Sequence, residues 1–125
     1  MILVDTSIWI EFFKGRPLYY NTLSKLLENR EIIAIECVFG ELLQGARSFQ
    51  EKTLIKRYWS LLPKIEEEGI WLMAGESSSY KKLHSKGIGI IDLALLSAAR
   101  ITQSKIWTLD KKLLSVLNPT EIFLS

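Results

Sequence analysis

Ile2-Leu3-Val4-Asp5-Thr6-Ser7-Ile8-Trp9-Ile10-Glu11-Phe12-Phe13 is the stretch whose reading decides the fold. Three aliphatic side chains in succession, with no polar residue between them, suit a strand buried on both faces. Asp5 ends the run, and Thr6 and Ser7 are N-cap residue types for the helical segment that follows through Phe13. Gly15 and Pro17 then punctuate the chain. The same alternation continues outward. Residues 18–29 have helical spacing, with Leu23, Leu26 and Leu27 on one face. Residues 32–35 read as a second short strand, and Val38, Leu42 and Leu43 give helical spacing up to Gly45. Residues 48–61 form another helix. Residues 70–72 are strand-like, 76–86 helical, and 91–101 so apolar that they read as a buried helix. Residues 106–109 are a strand ending at Asp110, and 122–124 suggest a last one. Short apolar strands alternating with helices imply an α/β fold with a mostly parallel sheet. In such sheets, sites gather outside the carboxyl ends of the strands.

The rest of the composition narrows the class. The 125 residues suit one domain, 1–125, with a core that needs no disulfide or structural metal. The chain is 48% hydrophobic and 24% charged, the balance of a globular protein. One cysteine, Cys37, excludes a disulfide framework and a multi-cysteine zinc site, and it fits a reducing, cytoplasmic setting. One histidine, His84, excludes a multi-histidine metal site. No apolar run approaches the ~18–20 residues that cross a bilayer. The N-terminus lacks the basic and long apolar regions of a signal peptide.

The acidic residues are unevenly chosen: eleven Glu but only three Asp, at positions 5, 92 and 110. Aspartate is a common turn residue, yet each of these lies in or beside an apolar segment. Asp5 and Asp110 follow strands. Asp92 opens the most apolar helix, and Glu41 lies within Val38-Phe39-Gly40-Glu41-Leu42-Leu43. Taken singly, each fits a bland role: Asp92 and Asp110 as helix caps, Glu41 as an exposed helix position. Taken together, they suit one shared site. Like charges ~4 Å apart at an effective dielectric of about 20 repel by about 4 kcal/mol per pair, so something positive must compensate. No Lys or Arg lies within three residues of Asp5 or Asp92. A divalent metal is the alternative, and all-oxygen ligands suit Mg²⁺ or Mn²⁺ better than zinc.

These residues resemble a family. Asp5-Thr6-Ser7 after the opening strand, Glu41-Leu42-Leu43-Gln44-Gly45-Ala46-Arg47, the segment from Gly89 through Asp92 to Ala99, and Trp107-Thr108-Leu109-Asp110-Lys111-Lys112-Leu113 look like the four motifs of the PIN-domain ribonucleases. The likeness is to the VapC-type toxins of toxin–antitoxin pairs in particular, and it covers essentially the whole chain. The resemblance implies a PIN-like three-layer sandwich, a short central parallel sheet with helices on both faces. It also implies a Mg²⁺- or Mn²⁺-dependent endoribonuclease, a homodimer and a small VapB-like antitoxin partner. By that carry-over, Asp5, Glu41, Asp92 and Asp110 become the catalytic, metal-binding set. Thr6, Ser7 and Thr108 are secondary polar candidates that orient a carboxylate or simply cap helices. The chain departs from the family pattern at Glu36-Cys37, where a small hydroxyl residue often leads into the second motif. It departs again at Lys112, where many relatives carry a further acid that helps bind a second metal.

Charge points to the substrate class. The net charge is +2, and setting the four acids aside leaves the rest of the chain six positive charges in excess. A basic surround of an acidic pit suits a polyanion. Lys14, Arg16, Arg47, Lys86, Lys111 and Lys112 lie close to the motifs and are candidates for RNA phosphate contact. Other features carry less. Gly87-Ile88-Gly89-Ile90-Ile91-Asp92 lacks the third glycine of a dinucleotide fingerprint and follows a helix. His84 reads as a solvated helix residue, Cys37 as a small packing residue and Glu66-Glu67-Glu68 as a solvated face. The aromatic residues near the first helices read mostly as core, with a partner-gripping patch as the other reading. Two alternatives remain at this point: a non-catalytic PIN-fold binding module, against which the intact acids argue, and a receiver-type phospho-acceptor domain. The latter calls for paired acids after the first strand, where Thr6-Ser7 follow Asp5.

Overall fold

The computed structural model describes residues 1–82 and 86–124; His84 lies outside the described residues. Three parallel strands form one sheet in the order β2-β1-β3: β1 (Ile2–Val4), β2 (Ile32–Ile33) and β3 (Lys105–Trp107). Leu3 pairs in register with Ile33 on one side and with Ile106 on the other. Successive side chains of a strand point to opposite faces, and Ile2, Leu3 and Val4 are all buried, so both faces of β1 are covered. That is the α/β arrangement which the opening stretch implies.

Helices α1 (Thr6–Phe13) and α2 (Pro17–Glu28) carry the chain from β1 to β2. Pro17 starts α2 at the first-turn position where its missing N–H costs nothing. Helices α3 (Glu36–Gly45), α4 (Phe49–Leu61), α5 (Ile70–Lys81) and α6 (Ile90–Thr102) carry it back to β3, on the far side of β1. Helix α7 (Lys111–Val116) and a 3₁₀ turn over Pro119–Glu121 complete the fold. Helix α1 packs on α2 and α3, α3 on α4, and α5 lies along α6. In α6, Leu93, Ala94, Leu95, Leu96, Ala98 and Ala99 are all buried, as expected for the most apolar helix. Trp9 anchors the aromatic part of the core, stacked on Phe13 and edge-on to Phe12 and Phe39.

The sequence expectations need correcting in five places. Ile70-Trp71-Leu72 is the first turn of α5, not a strand. Gly69 adopts φ +82° and caps the helix, and its carbonyl accepts the Met73 N–H. Only glycine enters that left-handed region without strain. The same helix closes at Lys81, with Lys82 left-handed behind it, short of residue 86. Residues 122–124 shrink to a single bridge between Ile106 and Ile122, where Phe123 N–H donates to the Ile106 carbonyl. Thr108 and Leu109 lie beyond β3, and of residues 32–35 only the first two are strand, Ala34 bridging to Lys64.

Candidate functional site

The order β2-β1-β3 contains a topological switch point. From β1 the chain winds one way to β2 and returns to the other side to form β3. In open α/β sheets the crevice outside the strand ends at such a point is where ligands bind. Asp5 follows β1 and Asp110 stands three residues past the end of β3, so the strand order alone brings two of the predicted acids to that crevice.

Asp5 occupies the N-cap position of α1, yet its side chain makes no cap hydrogen bond. It is buried and turned instead toward two hydroxyls. Ser7 Oγ and Thr108 Oγ1 donate to the same oxygen, Oδ2, at 2.8 and 2.7 Å. Each hydroxyl is held in turn by a backbone amide: Leu109 N–H donates to Ser7 Oγ and Asp110 N–H to Thr108 Oγ1, both at 3.0 Å. The three polar candidates from the sequence therefore all touch the acids, the third being Thr6, whose hydroxyl donates to Glu41 Oε1 at 2.8 Å. Asp110 does cap α7: its Oδ1 accepts from the amides of Lys112 and Leu113. Its capping role and its place at the crevice are thus compatible, because a carboxylate has a second oxygen.

Asp92 completes the group. It lies half-buried in the first turn of α6, where Gly89 is the cap, so capping does not explain it. Its carboxyl is pushed up to about 6, first by burial and then by the negative charges of Asp5, Asp110 and Glu41. Asp92 thus feels the charge of each of the other three predicted acids. The ion pairs among the described residues join Glu11 to Lys14 and Arg16, and Glu121 to Arg100, so none neutralises the four. No three acid, cysteine or histidine side chains among the described residues stand close enough to grip one bare ion. The donor set nevertheless fits a hydrated divalent cation, since Mg²⁺ keeps several waters and is held through one or two carboxylates.

The surroundings divide into two sides. Lys111 and Lys112 open α7 beside Asp110, and the Lys112 amine lies over Gly87, where a Cβ would stand 3.2 Å from it. That close approach, with φ +78°, is what Gly87 serves, not a dinucleotide fingerprint. Lys86 precedes it in the same loop. On the other side Lys14 and Arg16 are paired with Glu11, Arg16 closely at 3.0 Å. Lys14, Glu41 and Arg47 line a groove of about 350 Å³ with apolar walls from Ile10, Phe13, Leu42 and Leu54. Sequence reading missed this groove. Its signal was faint: Ile10 is an apolar residue left exposed on α1, and Phe13 is half-buried, stacked on Trp9 at the edge of the core. Cys37 is half-buried with its thiol pushed up to about 12 by burial and by nearby Glu67 and Glu41, which keeps it protonated and suits a packing role.

The geometry has close relatives. The chain is 30% identical to Ribonuclease VapC32 of Mycobacterium tuberculosis over 117 residues, 90% of this chain and 87% of that one. Its structure matches VapBC2 from Rickettsia felis, solved bound to a DNA fragment from its promoter, with a TM-score of 0.73 at 27% identity, over 98% of this chain and 96% of that one. A toxin–antitoxin complex from Klebsiella pneumoniae shares the fold, with a TM-score of 0.73 at 17% identity, over 96% and 94% of the two chains. The PIN domain pattern matches residues 2–117, from the first residue of β1 to the residue after α7. With the sheet order, the crevice and nearly the full length accounted for, the chain belongs to the PIN-domain family.

Proposed function

We propose that this chain is a metal-dependent endoribonuclease, the toxin half of a type II toxin–antitoxin pair, with Asp5, Glu41, Asp92 and Asp110 holding Mg²⁺ or Mn²⁺. The observation that carries the reading is that Asp92 feels the charges of Asp5, Asp110 and Glu41 at the switch point, with no basic side chain among the described residues paired to any of the four. PIN-family membership and a relative named as a ribonuclease support the nuclease class, and the VapBC2 neighbour supports an antitoxin partner. Membership also sets aside the receiver-type alternative.

A divalent cation bound there supplies positive charge to a phosphodiester oxygen and makes water a stronger acid. The chain's own residues prepare for it. Asp5 keeps Oδ2 on Ser7 and Thr108 and offers Oδ1; Asp110 keeps Oδ1 on the α7 amides and offers Oδ2. Asp92, crowded by three like charges, is the acid that gains most from a cation. Lys86, Lys111 and Lys112 line the approach for the RNA backbone on one side, Arg47 on the other; Lys14 and Arg16 are already committed to Glu11. The antitoxin docks in the groove that runs from Glu41 to Ile10 and Leu54 and so closes the site from that side. A second copy covers the outward side of α5, where Leu72 and Tyr80 are 82% and 90% exposed. Among the described residues no helix is long and apolar enough to cross a membrane, in keeping with action on RNA in the cytoplasm.

Structured RNAs incubated with the protein test the reading. Cleavage is expected with Mg²⁺ or Mn²⁺, none with EDTA, and none from Asp92→Asn, which remains folded. Full cleavage in EDTA or by Asp92→Asn overturns it. Light scattering is expected to give the mass of a dimer, and a monomer at micromolar concentration removes that part alone.

A further inference from the structure

Three of the four acids commit one carboxylate oxygen to the protein itself. For Asp5 the partners are two hydroxyls, and for Asp110 two backbone amides. For Glu41 there is one, the Thr6 hydroxyl on Oε1 at 2.8 Å. The three differ in how much holding they need. Asp5 and Asp110 have short side chains, the first directly after β1 and the second at the N-cap of α7. Glu41 has three rotatable bonds, sits half-buried on α3 and borders an open groove. A glutamate in that position samples several staggered rotamers, and holding one of them costs side-chain entropy. Thr6 is the residue after Asp5, in the first turn of α1, and 35 positions from Glu41 in sequence. Its hydroxyl therefore ties the α3 acid to the same β1–α1 junction that carries the most buried acid. Threonine suits the task, because its branched Cβ leaves χ1 few choices within a helix.

We propose that Thr6 is a positioning residue: its hydroxyl holds Glu41 in one rotamer and occupies Oε1, so that Oε2 is the single oxygen Glu41 offers to a cation. The effect on rotamers stands by itself; the effect on cation binding rests on the metal-site reading above.

Two measurements separate them. In the metal-free protein, the Glu41 side-chain three-bond couplings report its rotamers. They are expected to show one staggered rotamer in the native chain and in Thr6→Ser, and averaged values in Thr6→Val. Calorimetric titration with Mn²⁺ then reads the consequence: Thr6→Val is expected to bind about tenfold more weakly and Thr6→Ser within about twofold of the native chain, the hydroxyl being retained. Placed in a Glu41→Gln background, Thr6→Val is expected to cause no further loss. Should Thr6→Val not fold, Thr6→Ala replaces it, since alanine is well tolerated in a helix. Unchanged couplings in the Val or Ala variant overturn the proposal. So does a Mn²⁺ loss that persists undiminished with Glu41→Gln, for Thr6 would then act through something else. If the native chain and Glu41→Gln bind Mn²⁺ alike, the metal reading of Glu41 falls, and the couplings alone decide whether Thr6 positions it.

Discussion

The acidic crevice has a sheet side and a helix side, and they are built differently. On the sheet side Asp5 and Asp110 are locked through Ser7, Thr108 and backbone amides into one hydrogen-bonded unit. On the helix side Glu41 has one hydroxyl partner, and Asp92 has no hydrogen-bond partner among the described residues. The sheet side is therefore part of what holds the fold together, while the helix side is a burden on the fold in the absence of a cation. Buried polar groups with all partners in place are stabilising, whereas charges crowded without partners are not.

Replacement of one acid on each side breaks the symmetry most sharply. Both Asp5→Ala and Asp92→Asn are expected to lose RNA cleavage, by a hundredfold or more, as estimated for groups that stabilise transition-state charge. Their stabilities should move in opposite directions. Asp5→Ala removes the acceptor of two hydroxyls and costs about 3 kcal/mol, because donors are left unpaired in a buried place. Asp92→Asn keeps the shape and removes the crowded charge, so the metal-free protein melts at a higher temperature at pH 8. Thermal melts in EDTA decide it; a fall in both variants refutes the division. Thr108→Val, next in size, withdraws one donor from Asp5 and the acceptor of the Asp110 amide. It should cost about 1–2 kcal/mol and be read in the same melts.

A smaller effect separates the two sides by pH. Folding raises the Asp92 pKa from an ordinary 3.8 to about 6, so between those values the native state holds its proton more tightly than the unfolded chain. The penalty is absent below pH 3.8, grows as pH rises, and is complete above about 6. Since Asp92 is half-exposed and screened by solvent, the cost is about 1 kcal/mol, or ~4 °C in melting temperature. Against an Asp92→Asn control, which cancels the rest of the chain's titration, the native metal-free protein should lose this margin between pH 4 and 7. Saturating Mg²⁺ at pH 7 should restore it. A native-minus-variant difference that is flat with pH would remove the crowding argument.

What the sequence made legible follows the same division. Asp5 could be placed without coordinates, because a strand-ending acid in a parallel sheet has few places to go, and Asp110, three residues past its strand, was recognisable as the cap it is. Glu41 and Asp92 could be nominated by their apolar neighbours, but not their partners: the Thr6–Glu41 bond joins residues 35 apart through helix packing that no local pattern encodes. Ile70-Trp71-Leu72 misled for a related reason. A short apolar run fits strand or helix alike, and what decides it is the left-handed Gly69 before it and the α6 surface against which Ile70 and Ala74 are buried. The groove beside Glu41 was missed because it exists only where α1, α3 and α4 meet.

The least effect is expected where the basic residues lie outside the acids altogether, and there too the two sides should differ. Lys112 is exposed beside Asp110 and has no ion pair among the described residues, so its charge is available to a phosphate. Arg16, as close to the motifs in sequence, is held by Glu11 at 3.0 Å and brings little net charge. Each Lys or Arg that neutralises a phosphate of single-stranded nucleic acid contributes about 0.7 to the slope of log affinity against log salt. With a non-cleavable RNA, Lys112→Ala should lower that slope by about 0.7 and weaken binding a few-fold at low salt. Arg16→Ala should leave the slope unchanged, and both variants should melt within about 0.5 kcal/mol of the native protein. An equal drop from Arg16→Ala would mean that bound RNA draws Arg16 away from Glu11. The path of the backbone would then cross α1 and α2 as well as α7, and it would compete with whatever fills the groove.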